Sequence, residues 1–143
     1  GSGGVRVLNR RIIDSLGVGE ETIEKIAREE RQRVEQKESF LRGEGEAVSL
    51  EGKTVILVDD GLATGASMRA AVATVRERQP KQVVVAIPVA PPDTVEQLRE
   101  EVDRVVCLNA PAGFRAVGQW YHHFDQTSDK EVRQLLKEAR RSA

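Results

Sequence analysis

The chain is short of cysteine, aromatics and net charge, and each shortage closes off a class of protein. Its 143 residues hold one Cys, one Trp, one Tyr, three Phe, one Met and five Pro. A lone Cys107 can build neither a disulfide framework nor a zinc site. With so few aromatic rings, any core has to be made of Val, Ile, Leu and Ala. Lys and Arg number 22 against 23 Asp and Glu, a formal net charge of −1. That balance argues against a protein that coats nucleic acid, which needs a basic surplus or stripe. No apolar run approaches the roughly 20 residues of a membrane span. No charged n-region, apolar h-region and cleavage site mark secretion, so the expected compartment is a reducing cytosol, with no membrane partner.

What is present suffices for one ordinary domain. Apolar residues make up 39% of the chain, and 12 glycines accompany them. Together they approach the usual globular share of about 45–50%. The length matches roughly one domain of 100–200 residues, so residues 1–143 read as a single unit. Gly1-Ser2-Gly3-Gly4 is expected to be a flexible lead-in.

The pattern changes along the chain. Val5 to Leu8 is expected as an edge strand, and Asn9 to Leu16 as a helical turn closed by Gly17 and Gly19. From Glu20 to Leu41 the residues are mostly polar, with Ile23, Ile26, Ala27, Val34 and Leu41 at roughly helical spacing. This predicts a long solvated helix with a narrow buried stripe. Gly43 and Gly45 end it. Three continuous apolar runs follow: Val55–Val58, Val83–Ile87 and Val105–Leu108. Between them lie two helical patterns. One runs from Ala66 to Gln79 with Met68, Ala71, Val72 and Val75 on one face. The other follows Asp93, where Asp93 and Glu96 suggest a capping box and Val95, Leu98 and Val102 mark the helix. Strands alternating with helices, each strand apolar throughout, describe a parallel sheet covered on both faces. Ser128 and Glu131 suggest another capping box, opening a last helix with Val132, Leu135, Leu136 and Ala139.

One segment carries chemistry: Val55-Ile56-Leu57-Val58-Asp59-Asp60-Gly61-Leu62-Ala63-Thr64-Gly65-Ala66-Ser67. A buried parallel strand ends in two adjacent carboxylates, a turn of small residues follows, and a helix begins. Ligands of open parallel sheets bind outside the carboxyl ends of the strands. Carboxylates placed there need hydroxyls, a cation or backbone donors. The turn from Ala63 to Ser67 offers backbone N–H groups, the hydroxyls of Thr64 and Ser67, and a helix N-terminus with about half a positive charge. That is an anion site suited to a phosphate. Acids beside a phosphate cradle suit a sugar phosphate. The bland alternative is that the acids cap a turn and Thr64 caps the helix.

Residues 55–67 resemble the phosphoribosyl-pyrophosphate-binding signature of type I phosphoribosyltransferases. That signature has four apolar residues, an acidic pair, two usually apolar positions and a small-Thr-Gly-x-Ser/Thr loop. Gly61 stands where an aliphatic residue is more usual. Val83 to Pro92 and the segment Phe114-Arg115-Ala116-Val117-Gly118-Gln119-Trp120-Tyr121 also resemble a subgroup of predicted members. The resemblance implies a three-layer, Rossmann-like α/β core in residues 51–108, with a hood segment and a C-terminal helix in 109–143. Residues 1–50 would supply the edge strand and the long helix. It implies that Asp59 and Asp60 serve catalysis by binding the ribose hydroxyls, directly or through Mg²⁺, the one cofactor implied. Ala63, Thr64, Gly65, Ala66 and Ser67 would wrap the 5′-phosphate, and Phe114 or Trp120 would stack on a base. The reaction implied is a pentosyl transfer of nucleotide metabolism, in which a nitrogenous base or amine displaces pyrophosphate from ribose C1. Members for 6-oxopurines carry Asp where this chain has Ala63, which argues against hypoxanthine or guanine.

The family grips pyrophosphate with a Gly-containing loop after an upstream strand. Nothing before Val55 reads as that strand and loop. The chain therefore resembles the C-terminal two-thirds of such an enzyme, and its core is expected to be incomplete at the N-terminus. A non-catalytic ribose-5-phosphate or nucleotide-binding module, or an inactive fragment, stays open as the alternative function. A homodimer is left open too. Weaker signals are read blandly: His122 and His123 as solvated loop residues, Cys107 as a small core residue, Arg115 as solvent-facing. Trp120 and Tyr121 near Phe114 could equally close the last helix onto the sheet. A P-loop is excluded because no Gly-Lys-Ser/Thr follows the turn.

Overall fold

The computed structural model describes residues 13, 15, 17–43 and 48–141. The strand expected at Val5–Leu8 and most of the turn expected at Asn9–Leu16 lie outside the described residues. The elements are α1 (Glu20–Arg42), β1 (Thr54–Val58), α2 (Ala66–Arg76), β2 (Gln82–Val89), α3 (Pro92–Glu101), β3 (Arg104–Asn109), a 3-10 turn (Val117–Trp120) and α4 (Asp129–Arg141). They fall into two compact units, one built on residues 49–124 and one containing α1 and α4. No helix among the described residues is long and apolar enough to cross a membrane.

In the first unit the three apolar runs form one parallel sheet in the order β1-β2-β3. Val55 pairs with Val83 and Leu57 with Val85, while Val85 pairs with Val105 and Ile87 with Cys107. Paired residues of parallel strands point to the same face. Val83, Val85, Ile87 and Val89 are buried on one face, with Val55, Leu57, Val105 and Cys107 packed alongside. Met68, Val72 and Val75 of α2 and Val95 and Leu98 of α3 complete that core. Truncating a sealed residue such as Leu98 to Ala would cost about 2–5 kcal/mol, through lost transfer energy and the cavity left behind.

The second face of the sheet differs from the expectation of cover on both sides. Ile56, Val58 and Leu108 are 60%, 74% and 81% exposed. Topology gives the reason. Each strand is followed by its neighbour in the same direction, and right-handed crossovers that step the same way place both helices on one side. Continuous apolar character was therefore a sound sign of parallel strands, and only the topology assigns the helices to a face.

Several polar devices hold the layers in register. Asp103 accepts from the Val83 amide at 2.7 Å, and Arg76 pairs with the same carboxylate at 3.0 Å. The Val83 hydrogen bond, with Arg76 adding to it, holds the Asp103 carboxyl below its ordinary range. Arg69 of α2 forms an ion pair with Glu101 at 2.9 Å and donates to Gln97 at 2.9 Å. The capping box expected at Asp93 does not form. Helix α3 starts two residues earlier, with Pro92 at its first position, and Glu96 pairs with Arg99 instead. Proline's fixed φ and missing N–H suit that position without a side-chain cap.

In the second unit α1 is solvated as expected, but the narrow buried stripe does not form. It buries no residue, Ile26 and Val34 are exposed, and Ile23, Ala27 and Leu41 are half-buried, because pairing with α4 alone cannot enclose a helix flank. Lys37 pairs with Asp129 at 3.0 Å, the Arg133 guanidinium lies 4.9 Å over the Phe40 ring, and Arg140 donates to the Arg42 carbonyl at 2.7 Å. Ser128 caps α4 by accepting from the Glu131 amide at 3.3 Å, one half of the expected box.

Candidate functional site

β1 ends at Val58, and the chain leaves the sheet at Asp59 and Asp60 with both side chains exposed. The Asp60 amide donates to Asp59 Oδ1 at 2.9 Å, which folds the first carboxylate back onto the backbone of the second residue. Neither acid has a Lys or Arg partner within ion-pair distance among the described residues. Partial burial, then the nearby Asp59 charge, then the Asp59 hydrogen bond, hold the Asp60 carboxyl above its ordinary range; its own backbone amide pulls weakly the other way. Two carboxylates crowded without a counter-charge form an environment that a divalent cation or hydroxyl donors would relieve.

The turn that follows is anchored at both ends and in the middle. Leu62 is buried, and its amide donates to the Val89 carbonyl at 3.0 Å, tying the turn to the end of β2. Thr94 of α3, a buried polar residue, donates from its hydroxyl to the Ala63 carbonyl at 3.0 Å. The C=O and N–H of one peptide plane point in opposite directions. Fixing the Ala63 carbonyl against α3 therefore turns the Thr64 N–H away from α3. Gly65 has φ +70°, a left-handed conformation that glycine adopts at no steric cost, and it caps α2 without a side chain. A Cβ there would meet Thr94 Cγ2 at 3.0 Å. The hydroxyl of Thr64 accepts from the Ala66 amide at 3.5 Å, a long contact. Ala63, Thr64, Ala66 and Ser67 are exposed, while Gly65 is buried beneath them. The first turn of α2 carries no acidic residue, so nothing on the helix neutralises its positive end.

The segment after β3 reaches this turn through residues that sequence reasoning had not chosen. The Tyr121 hydroxyl donates to the Asp60 carbonyl at 2.5 Å. A Cβ at Gly61 would lie 2.8 Å from Val117 Cγ1, 2.9 Å from the Val89 carbonyl and 3.0 Å from Val89 Cγ1. Gly61 is thus the position where the 3-10 turn and β2 press against the acidic loop. Its departure from the family's usual aliphatic residue has a steric reason, because Val117 fills the space. Gln119 steadies the turn by accepting from the Arg115 and Ala116 amides at 3.1 and 3.0 Å. Tyr121 and Phe124 rings sit 5.2 Å apart, and a Cβ at Gly118 would lie 2.9 Å from Phe124.

Phe114 is half-buried and Trp120 is 39% exposed. No hydrogen bond or ring contact joins either to residues 59–67 among the described residues. His122 and His123 are exposed, and Cys107 packs against the core with its Sγ 3.2 Å from the Asn109 carbonyl. Val117 and Thr94 are the neighbours of the loop that the sequence did not single out, while Tyr121, considered there for its ring, contributes its hydroxyl. Tyr121 carried a faint signal, as a hydroxyl-bearing aromatic in the hood segment. Thr94 carried none, because its partner lies 31 residues away.

The family model described as a phosphoribosyl transferase domain matches residues 2–125. Two proteins named "Putative phosphoribosyl transferase", from two strains of Mycobacterium tuberculosis, are each 39% identical to this chain over 142 residues, which is 99% of it and 32% of them. The crystal structure of TT1426 from Thermus thermophilus matches with a TM-score of 0.78 at 37% identity, covering 96% of this chain and 65% of that one. The chain spans about a third of the length of the curated relatives it matches.

Proposed function

The chain belongs to the phosphoribosyl transferase domain family, and on that premise we propose that residues 59–67 bind the ribose 5-phosphate portion of phosphoribosyl pyrophosphate. The observation that supports this most is the meeting, in nine residues, of two carboxylates without a cation partner and a helix start without an acid. Sugar hydroxyls and a phosphate are the chemical complement of that pair. Asp59 and Asp60 accept from the ribose 2′- and 3′-hydroxyls, directly or through Mg²⁺. Thr64, Ser67 and the amides of residues 63–67 enclose the 5′-phosphate.

No group of three metal-ligating side chains occurs among the described residues. Mg²⁺ does not need one, since it is commonly held by one or two carboxylates with waters and substrate phosphates completing its shell. The Asp59-Asp60 pair therefore fits the ion. When bound, it would offset charge on the leaving pyrophosphate. In the transfer the bond from ribose C1 to pyrophosphate oxygen breaks and a bond to the acceptor nitrogen forms. The acids and the phosphate loop hold the ribose so that C1 faces the acceptor. Positioning and electrostatics supply most of the rate, with little covalent work for the protein. Phe114 and Trp120 remain the candidates to stack on the acceptor. Ala63 carries no ionisable group, which disfavours 6-oxopurine acceptors on the family's pattern.

Calorimetric titration with ribose 5-phosphate and with phosphoribosyl pyrophosphate, each with and without Mg²⁺, tests the site. Binding of both, weakened by Asp60→Asn with the fold intact, supports it. Negligible binding of both overturns it. A pyrophosphate-release assay over a panel of bases and amines then separates a transferase from a binding module. Turnover supports transfer by this chain, and ligand binding without turnover favours the module.

A further inference from the structure

We propose that the cleft between the end of α1 and the side of α4 is a binding site for a compact oligophosphate anion. This cleft belongs to the second unit and shares no residue with the acidic loop. Arg42, Lys130, Arg133, Lys137, Arg140 and Arg141 line it, and among the described residues no carboxylate does. Its volume of about 770 Å³ is in the range of small-ligand sites.

The pattern on α4 is the unusual part. Lys130, Arg133, Lys137 and Arg140 step by three, four and three residues, which places them on one helical face. Like charges at those spacings repel and weaken a helix by a few tenths of a kcal/mol per pair. Cations in the last turn complement the helix C-terminus, which accounts for Arg140 and Arg141. It does not account for Lys130, which sits in the first turn at the positive end.

Some of the six are already engaged. Arg42 pairs with Glu38, Arg140 donates to the Arg42 carbonyl, and Arg133 lies over Phe40. Lys130, Arg133, Lys137 and Arg141 have no carboxylate within ion-pair distance among the described residues. Of the acids on the same elements, Asp129 pairs with Lys37, Glu38 with Arg42, and Glu138 accepts from Gln134. Four cations facing one concave space have no carboxylate partner among the described residues, and a multiply charged anion would supply the counter-charge.

Phosphate is the chemistry these groups read best. Guanidinium groups offer paired N–H donors that match phosphoryl oxygens, and lysines add point charge. The anion is compact because the basic run extends only about 17 Å along the helix at 1.5 Å per residue. Beyond it α1 mixes Glu21, Glu24, Glu29 and Glu35 with Lys25, Arg28, Arg31 and Arg33, so no basic track continues there for a longer polyanion. Phe40, lining the same cleft and 40% exposed, offers a ring on which a nucleobase could rest. The oligophosphate could therefore be inorganic or part of a nucleotide.

The test is calorimetry of the intact chain with tripolyphosphate, in saturating ribose 5-phosphate so that any loop site is filled. One-to-one binding is expected, weakening at least tenfold in the double variant Arg133→Glu, Lys137→Glu and severalfold in Lys130→Gln. Circular dichroism on each variant checks that the helix persists, and Lys130→Gln is the mild change that keeps the test valid if the double variant unfolds. Raising the salt should weaken binding, since the site is exposed and screened. A parallel titration with ATP identifies the source: affinity lost in Phe40→Leu points to a nucleotide, and affinity unchanged there to the inorganic chain. Equal tripolyphosphate affinity in wild type and Lys130→Gln, or no binding at all, overturns the proposal. Tighter binding of a single-stranded oligonucleotide than of tripolyphosphate overturns the claim of a compact ligand.

Discussion

Placing a single methyl group at Gly61 probes how the acidic loop is held. In Gly61→Ala the new Cβ would sit 2.8 Å from Val117 Cγ1 and 2.9 Å from the Val89 carbonyl. The carbonyl cannot retreat freely, because it belongs to β2 and accepts from the Leu62 amide at 3.0 Å. The 3-10 turn carrying Val117 must therefore move outward. Overpacking of this kind costs about 1–3 kcal/mol. The Gly61 φ of +159° lies where a Cβ is disfavoured, so alanine brings none of the net gain it gives at compatible positions. The loss is therefore about 1–3 kcal/mol, a fall in melting temperature of roughly 3–12 °C for a chain of this size. Trp120 lies in the displaced turn and is half-exposed, so its emission should shift to the red. Gly113→Ala is the control, because a Cβ there meets nothing within 4 Å. Thermal melts and Trp120 fluorescence of the two variants decide the matter. An unchanged melting temperature and emission in Gly61→Ala would refute the close approach of Val117.

Three further outcomes are expected. Thr94→Val keeps the shape of the side chain but frees the Ala63 carbonyl, and should weaken ribose 5-phosphate binding about tenfold, about the worth of one charge-assisted hydrogen bond; Thr94→Ser should restore it, and equal affinity in all three would show that the Thr94 bond is structural alone. Tyr121→Phe removes the bond to the Asp60 carbonyl while keeping the ring against Phe124, so limited proteolysis between residues 111 and 124 should speed up severalfold, and an unchanged cleavage rate would count against the latch. Asp60 has its carboxyl held above the ordinary range, so folding favours its protonated form, and this residue opposes stability once pH rises through that value. Asp60→Asn should therefore melt higher than wild type at neutral pH, the difference should vanish in acid, and Mg²⁺ should stabilise wild type more than the variant; a lower melting temperature at neutral pH would contradict the crowding of the two acids.

Much of this protein follows from local sequence. The three apolar runs form three parallel strands, and Val55, Leu57, Val83, Val85, Ile87, Val105 and Cys107 supply the one face that packs against the helices. The helix from Ala66 formed because Gly65 takes a left-handed turn that ends the loop, and Met68, Val72 and Val75 then fall on one side. The acidic pair, the small residues and the hydroxyls were contiguous, so the candidate phosphate loop could be read without a fold. The edges were less legible. Asp93 looked like a cap, but Pro92 at the first helical position made a side-chain cap unnecessary.

Tertiary structure decided what the contiguous motif could not contain. Which side of the sheet receives both helices depends on the order of strands in space, and nothing in an apolar run records that order. The three contacts that hold the loop come from Val89, Thr94 and Tyr121, which lie about 30 to 60 residues beyond it. The same holds for Gly61. The chain shows a glycine where an aliphatic residue was expected, but only the folded backbone brings Val117 and the Val89 carbonyl to the place where a Cβ would stand. Sequence supplied the chemical groups of the site because they are neighbours along the chain. Their orientation is set by distant partners, since each backbone carbonyl points wherever its hydrogen-bond donor arrives from.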